Sequence, residues 1–235
     1  MAPLVAGADG CRAGWVVVLA SAGGATTHVV PRFADVLHTA AGAHVIGVDM
    51  PIGLLDRAAP GGRECDRQAR RLLGRRACCV FTPPVRAALR ARAYARALAV
   101  NRASSAARLG ISIECFGLFR KLREVDAALG RRPELARRVR EVHPELAFRE
   151  MAGAVAALPP KRSADGRGRR LALLERRFRA VRAAALRPPR GAAADDVSDA
   201  HAVCWSAARI AGDRAVCLPA RPSHDARGLP MAIWY

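Results

Sequence analysis

Lysine is almost missing from this chain. Of 39 Lys+Arg residues only Lys121 and Lys161 are lysines, and the other 37 are arginine. Aromatic residues are scarce as well, at 5%, which argues against a platform that binds single strands by stacking successive bases. The seven cysteines are an odd number and include no Cys-x-x-Cys pair. A disulfide framework or thiolate zinc site is therefore not expected; buried thiols are. No apolar run is long enough to span a bilayer. The opening "MAPLVAGADG" lacks a basic stretch ahead of its apolar one. It reads as a first strand and not a secretion signal, so the cytoplasm is the expected compartment.

What the chain does have is apolar content and positive charge. Hydrophobic residues make up 51% of 235 positions, enough for a sizeable core in one domain carrying an insertion. The formal net charge is +19, and it is uneven. Residues 1–56 hold two bases and four acids, residues 191–235 four and five, and residues 57–190 hold 33 and 11. A segment of that kind attracts phosphates at long range, although an arginine-rich solvated helix surface has the same composition.

Apolar runs at Leu4–Ala8 and Gly14–Ala20 flank a short Gly-containing connection and predict a hairpin. "ATTHVV" (25–30) predicts a third strand, 31–41 a helix, and "HVIGVD" (44–49) a buried strand. Helical patterns follow in "RECDRQARRLL", "PVRAALRARAYARALAV" and "CFGLFRKLREVDAAL". "RRVREV" (137–142) reads as a strand, and "GRRLALLERRFRAVRAAAL" as one amphipathic helix on Leu171, Leu174, Phe178 and Val181. A helix running to about Ala211 comes next, and "RGLPMAIWY" has room for a terminal strand. Strands, then a helical block, then another strand and helices give an α/β or α+β order, without the regular alternation of a TIM barrel.

The acids are placed unevenly too. Asp9 and Asp49 each follow an apolar run of the kind covered on both faces. If those strands are parallel neighbours, both carboxylates lie at the edge where open α/β sheets place function. Each also suits an ordinary turn start. "ADDVSDAHAV" (194–203) crowds Asp195, Asp196 and Asp199 ahead of an almost uncharged helix body. Capping accounts for one or two of them, with Asp195 the expected N-cap. Like charges one turn apart repel, and burial raises that cost unless a cation or a proton joins them. No base stands beside them in sequence, which points to a bound cation. Glu141 of "EVHPE" is placed to reach the same edge. His143 suits a general base, a supporting partner or a plain strand-end residue, and Glu145 suits the first turn of a helix. Oxygen-only ligands favour Mg²⁺ or Mn²⁺ over zinc and suit phosphoryl chemistry.

"GADGCRAGWVVV", "VIGVDMPIGL", "CDRQARRLLG", "VFTPPVRAAL", "RKLREVDAAL", "EVHPELAF", "ADDVSDAHAV" and "GLPMAIWY" together resemble the bacterial family called domain of unknown function 429, described as predicted nucleases. The resemblance covers nearly the whole chain. It implies a single ribonuclease H-like domain over 1–235, with a mixed five-stranded sheet of order 3-2-1-4-5 flanked by helices. It also implies a basic helical insertion at about 57–135. Asp9 and Asp49 would sit on strands one and four, and Asp196 and Asp199 on the last core helix. These four would bind one or two Mg²⁺ or Mn²⁺ ions, with Glu141 a further ligand or a base orienting water. Lys161 and Arg162, in a stretch resembling a Lys-Lys pair of the family, would hold substrate phosphate or belong to a solvated loop. Arg12 and Ala13 stand where members often carry Pro-Gly.

The expected function is a metal-dependent nuclease hydrolysing phosphodiester bonds of DNA or RNA, with nucleic acid as partner. Two alternatives remain open. One is a nucleotide-phosphate hydrolase of the related actin-like type, with "DGCRAG" cradling phosphate. The other is a non-catalytic nucleic-acid-binding protein whose acids are caps.

Overall fold

The computed structural model describes residues 3–153 and 158–235. The chain divides into two compact units. The first comprises 1–50, 137–216 and 234–235, and the second 51–136 and 217–233.

The first unit is built on a five-stranded mixed sheet. Its strands are β1 (Val5–Cys11), β2 (Gly14–Ser21), β3 (Gly24–Val30), β4 (Val45–Val48) and β5 (Val139–Glu141), in the order β3-β2-β1-β4-β5. The β1–β2 and β2–β3 pairs are antiparallel hairpins; β1–β4 and β4–β5 are parallel. The apolar runs mark the central strands, which are buried on both faces, and the order is the one the family resemblance implies. Trp234 adds a parallel bridge to Val142.

Each sheet face has its own cover. Trp15 packs on Phe33 of helix α1 (Phe33–Thr39), with ring centroids 5.2 Å apart. Val5, Val16, Val18 and Val45 on the other face join Val197, Ala200, Cys204 and Ala207 of the 18-residue helix Ala194–Ala211. Two glycines explain how closely that helix lies. Gly7 and Gly47 are register partners on β1 and β4. A Cβ on Gly7 would stand 2.2 Å from Cys204 N and 2.4 Å from Ala200 O, and one on Gly47 would stand 2.8 Å from Val203 Cγ1. The missing side chains leave a trough in which the helix backbone rests on the sheet.

The second unit is mainly helical: α2 (Glu64–Leu73), α3 (Tyr94–Ala103), α4 (Ile113–Gly117) and α5 (Phe119–Arg131). Two of the helices expected here are interrupted. Arg86–Arg90 forms a 3-10 turn apart from α3, and α4 and α5 meet at Leu118. The first break falls where Ala91 and Ala93 take extended backbone angles, and the Asn101 side chain accepts from Val85 N at 2.9 Å and donates to Leu109 O at 2.8 Å. It ties the chain ahead of the 3-10 turn to the chain beyond α3. A buried ion pair, Arg63–Asp66 at 2.6 Å, holds the start of α2.

In the first unit, α6 spans Pro144–Met151, α7 Ala164–Glu175, α8 Val181–Leu186 and α9 Ala194–Ala211. The single helix expected over 168–186 is thus two, α7 and α8. Both pack toward α9, and the bend between them seats Phe178 edge-on against His201, centroids 5.0 Å apart. The apolar periodicity runs across the break because both segments bury the same side. Among the described residues no helix is long and apolar enough to cross a membrane.

Candidate functional site

The parallel pairing of β1 with β4 stops at Ala8 and Val48, and the next residue on each strand is an aspartate. Asp49 N donates to Ala8 O at 2.9 Å, so the two backbones are still joined where Asp9 and Asp49 stand side by side. Strand alternation puts Val5, Gly7 and Asp9 on one face of β1, and Val45, Gly47 and Asp49 on the same face of β4. That is the α9 face. The trough at Gly7 and Gly47 therefore lowers α9 until its first turns meet both aspartates.

The start of α9 is fixed from two directions. The β1–β2 turn is tied to the segment ahead of the helix by Ala13 N donating to Gly191 O at 3.0 Å. The helix then begins at Ala194 with Ala193 in the N-cap position, not Asp195 as expected. Asp196, three residues on, accepts from Ala193 N at 2.8 Å and takes the capping role. Asp195 is left about half-exposed. Asp199, one turn later, is buried at 5% exposure.

A base does accompany the carboxylates, from 34 or more residues away in sequence. Lys161, one of the two lysines, places Nζ 2.8 Å from Asp199 Oδ2 and 3.8 Å from Asp195 Oδ2. Its loop is firmly held. Ser163 Oγ donates to Pro160 O at 2.8 Å and accepts from Gly166 N, and Arg170 Nη1 donates to Pro159 O at 2.8 Å. The base missing from the local sequence is supplied from a distant loop.

One ammonium does not balance the group. Asp9 holds its proton well above the usual carboxylate range, first because it is buried, then because Asp49, Asp199 and Asp196 are near; Lys161 opposes the shift. Burial pushes Asp49 up to about 7, with Lys161 opposing and Glu145 adding to it. Burial likewise pushes Asp199 up to about 6 against the pull of Lys161. The Lys161 ammonium is held in its charged form by Asp199, Asp195 and Asp9, against the cost of its own burial. The structure thus brings Asp9, Asp49, Asp196 and Asp199 into one electrostatic cluster.

Residues 7–224 match a family model described as protein of unknown function (DUF429). The chain belongs to this family. No curated protein matches it, and no solved structure does.

In this DUF429 chain the "EVHPE" stretch ends a strand and opens a helix as expected. Register pairs Glu141 with Val48, which sets it on the face opposite Asp9 and Asp49. The edge was foreseen but the face was not, because alternation reverses the side chain with each residue. His143 caps α6, its Nδ1 accepting from Glu145 N at 3.3 Å. Glu145 does stand in the first turn of α6, and it is also near enough to raise the Asp49 and Asp199 carboxyls. It is buried and bound by Arg170 Nη2 at 2.7 and 3.0 Å. Arg162 is exposed next to Lys161. Glu145, Arg170 and the cluster role of Lys161 went unread in the sequence. Their partners lie 25 and 38 residues away, where no local spacing can reveal them.

Oxygen is the only donor type in the cluster, and the carboxylates outnumber their base, so the residues fit a hard divalent cation in kind and in charge. In the arrangement described, Asp199 is engaged by Lys161 and Asp196 by Ala193 N–H. Among the described residues no three His, Cys, Asp or Glu side chains converge on a metal position.

Proposed function

We propose that this protein is a metal-dependent hydrolase of phosphodiester bonds in nucleic acid. The observation that carries the reading is the charge surplus at the sheet edge. Asp9, Asp49, Asp196 and Asp199 are gathered around a single ammonium, and three of the four are held above their ordinary pKa. Desolvated like charges persist only where something offsets their cost, and a divalent cation does so. Asp9, Asp49, Asp196 and Asp199 would hold Mg²⁺ or Mn²⁺, which would activate water and stabilise the leaving oxygen. Lys161 would keep Asp199 oriented and present its ammonium to the scissile phosphate, with Arg162 beside it. The basic excess of the chain would draw the polyanionic substrate.

The test is cleavage of labelled single-stranded and duplex DNA and RNA with Mg²⁺ or Mn²⁺, comparing wild type with Asp9→Asn. Activity should need the metal and fall by at least 100-fold in the variant, of the order ascribed to a group acting on the reacting atoms. Equal activity in the two proteins overturns the reading.

The Lys161–Asp199 pair favours one rival, in which the ammonium is the permanent counter-cation and the protein binds nucleic acid without cutting it. Mn²⁺ soaked into crystals separates the two: anomalous density among the four aspartates supports the hydrolase, and its absence supports the rival.

A further inference from the structure

A cavity of about 660 Å³ lies wholly within the second unit, and arginine dominates its wall. Arg86 and Arg90 come from the two ends of the 3-10 turn, Arg92 from just beyond it, Arg123 from α5, and Arg227 from the chain near its C-terminus. The cavity is a consequence of how Asp225 organises these segments. Its carboxylate accepts from Leu54 N, Leu229 N and Arg227 N, and it pairs with Arg86. Asp126 on α5 takes the rest, accepting from Arg86 Nε and Arg227 Nη1, each at 3.0 Å.

The remaining guanidinium capacity is not used by the protein. Arg86 Nη1 is buried without a hydrogen-bond partner. Arg123 donates to the carbonyls of Leu89 and Ala91 and so keeps its full charge without a carboxylate. Arg90 and Arg92 are exposed, and neither guanidinium has a partner among the described residues. Five guanidinium groups face three carboxylates, Asp126, Asp225 and the exposed Asp56 on the rim. The wall therefore keeps a surplus of two positive charges. Arg86, Arg123 and Arg227 are fixed by hydrogen bonds, and Arg90 and Arg92 stand free beside them; planar donors of this kind match the paired oxygens of a phosphate.

We infer that this arginine-walled cavity is a binding site for phosphate esters. It is separate from the carboxylate cluster and does not depend on that cluster cutting anything. The phosphates belong to either a nucleic acid strand or a free nucleotide, and both present the same oxygens to the wall.

The experiment reads binding by the full chain in EDTA, so that no cleavage intervenes. Wild type, Arg90→Ala/Arg92→Ala and a charge-matched control, Arg176→Ala/Arg221→Ala, are titrated against a fluorescein-labelled 12-nucleotide single strand and against AMP. All four substituted side chains are exposed, so the variants should fold, and their thermal melts are recorded alongside. The cavity variant should bind the strand about tenfold more weakly than the control does. Its dependence of log K on log[salt] should lose about 1.4 in slope, about 0.7 for each phosphate contact removed. AMP binding lost in the cavity variant alone assigns the site to free nucleotides; loss confined to the strand assigns it to a nucleic acid backbone. A cavity variant that matches the control with both ligands overturns the inference, as does a wild type that binds neither.

Discussion

Asp9, Asp49 and Asp199 hold protons more tightly in the folded chain than in an extended one, and stability depends on pH accordingly. Well below their ordinary pKa of 3.8 these carboxyls are protonated in both states and cost nothing. As pH rises the unfolded chain releases its protons first, while folded Asp199 and Asp49 keep theirs to about 6 and about 7. The metal-free protein should therefore lose their contribution between about pH 4 and 7. Asp9→Asn removes one of the competing charges. It should raise the melting temperature at pH 8 by about 2–4 °C, equivalent to roughly 1 kcal/mol, and leave it nearly unchanged at about pH 2 to 3. Calorimetry without divalent ions would show this, and a variant less stable at pH 8 would mean the cluster is not under charge strain. Lys161→Met works in the opposite direction: the metal-free protein should melt earlier at pH 8, and Mn²⁺ should bind several-fold more tightly by titration calorimetry while cleavage falls. Weaker Mn²⁺ binding would count against competition between ammonium and metal. Asp9 and Asp49 are legible in sequence because they follow apolar runs, and Asp196 and Asp199 because they open an uncharged helix. The choice between Asp195 and Asp196 as the capping residue is a one-residue difference that composition does not resolve.

At the scale of elements, the contact between α9 and the sheet decides whether the cluster assembles. Gly7→Ala would drive a methyl to 2.2 Å from a helix backbone nitrogen, which cannot yield without moving α9. Gly47→Ala meets chiefly the Val203 side chain at 2.8 Å, which can turn, although Val203 O stands at 3.0 Å. Overpacking costs about 1–3 kcal/mol and more where backbone is struck. Urea denaturation should place Gly7→Ala below Gly47→Ala in stability by at least 1 kcal/mol, and a reversed order would mean that the helix is not seated through Gly7. The central strands are legible because continuous apolar runs mark them, whereas the strand order is what the family resemblance implies. The interrupted helices are not. The pattern Leu171, Leu174, Phe178 and Val181 reports only which side is buried, and two short helices packed toward α9 satisfy it as well as one long helix. Near the C-terminus, Asp225 belongs with 51–136 through Leu54 and Arg86, partners more than 130 residues away that no local pattern shows.

For the whole chain, the charge takes a different form once it is sorted by structure. Along the sequence the excess lies in 57–190, but both compact units are basic: the second holds 20 bases and eight acids, the first 19 and 12. The first unit carries its surplus despite containing the carboxylate cluster, so the acids are a local pit in a positive surface and not a neutralising counterpart to it. A polyanion would be attracted to either unit at long range, with the attraction set by the number of phosphates each protein molecule neutralises. Single strands release about 0.7 counterion per phosphate contacted. If the arginines act as a nucleic-acid surface, about six contacts would give a slope near −4 in log K against log[salt]. Fluorescence anisotropy with a 20-nucleotide strand between 50 and 300 mM salt, without divalent ions, measures it. A slope flatter than about −1 would make the arginine excess a solvated helix surface and leave the carboxylate cluster without a steering field.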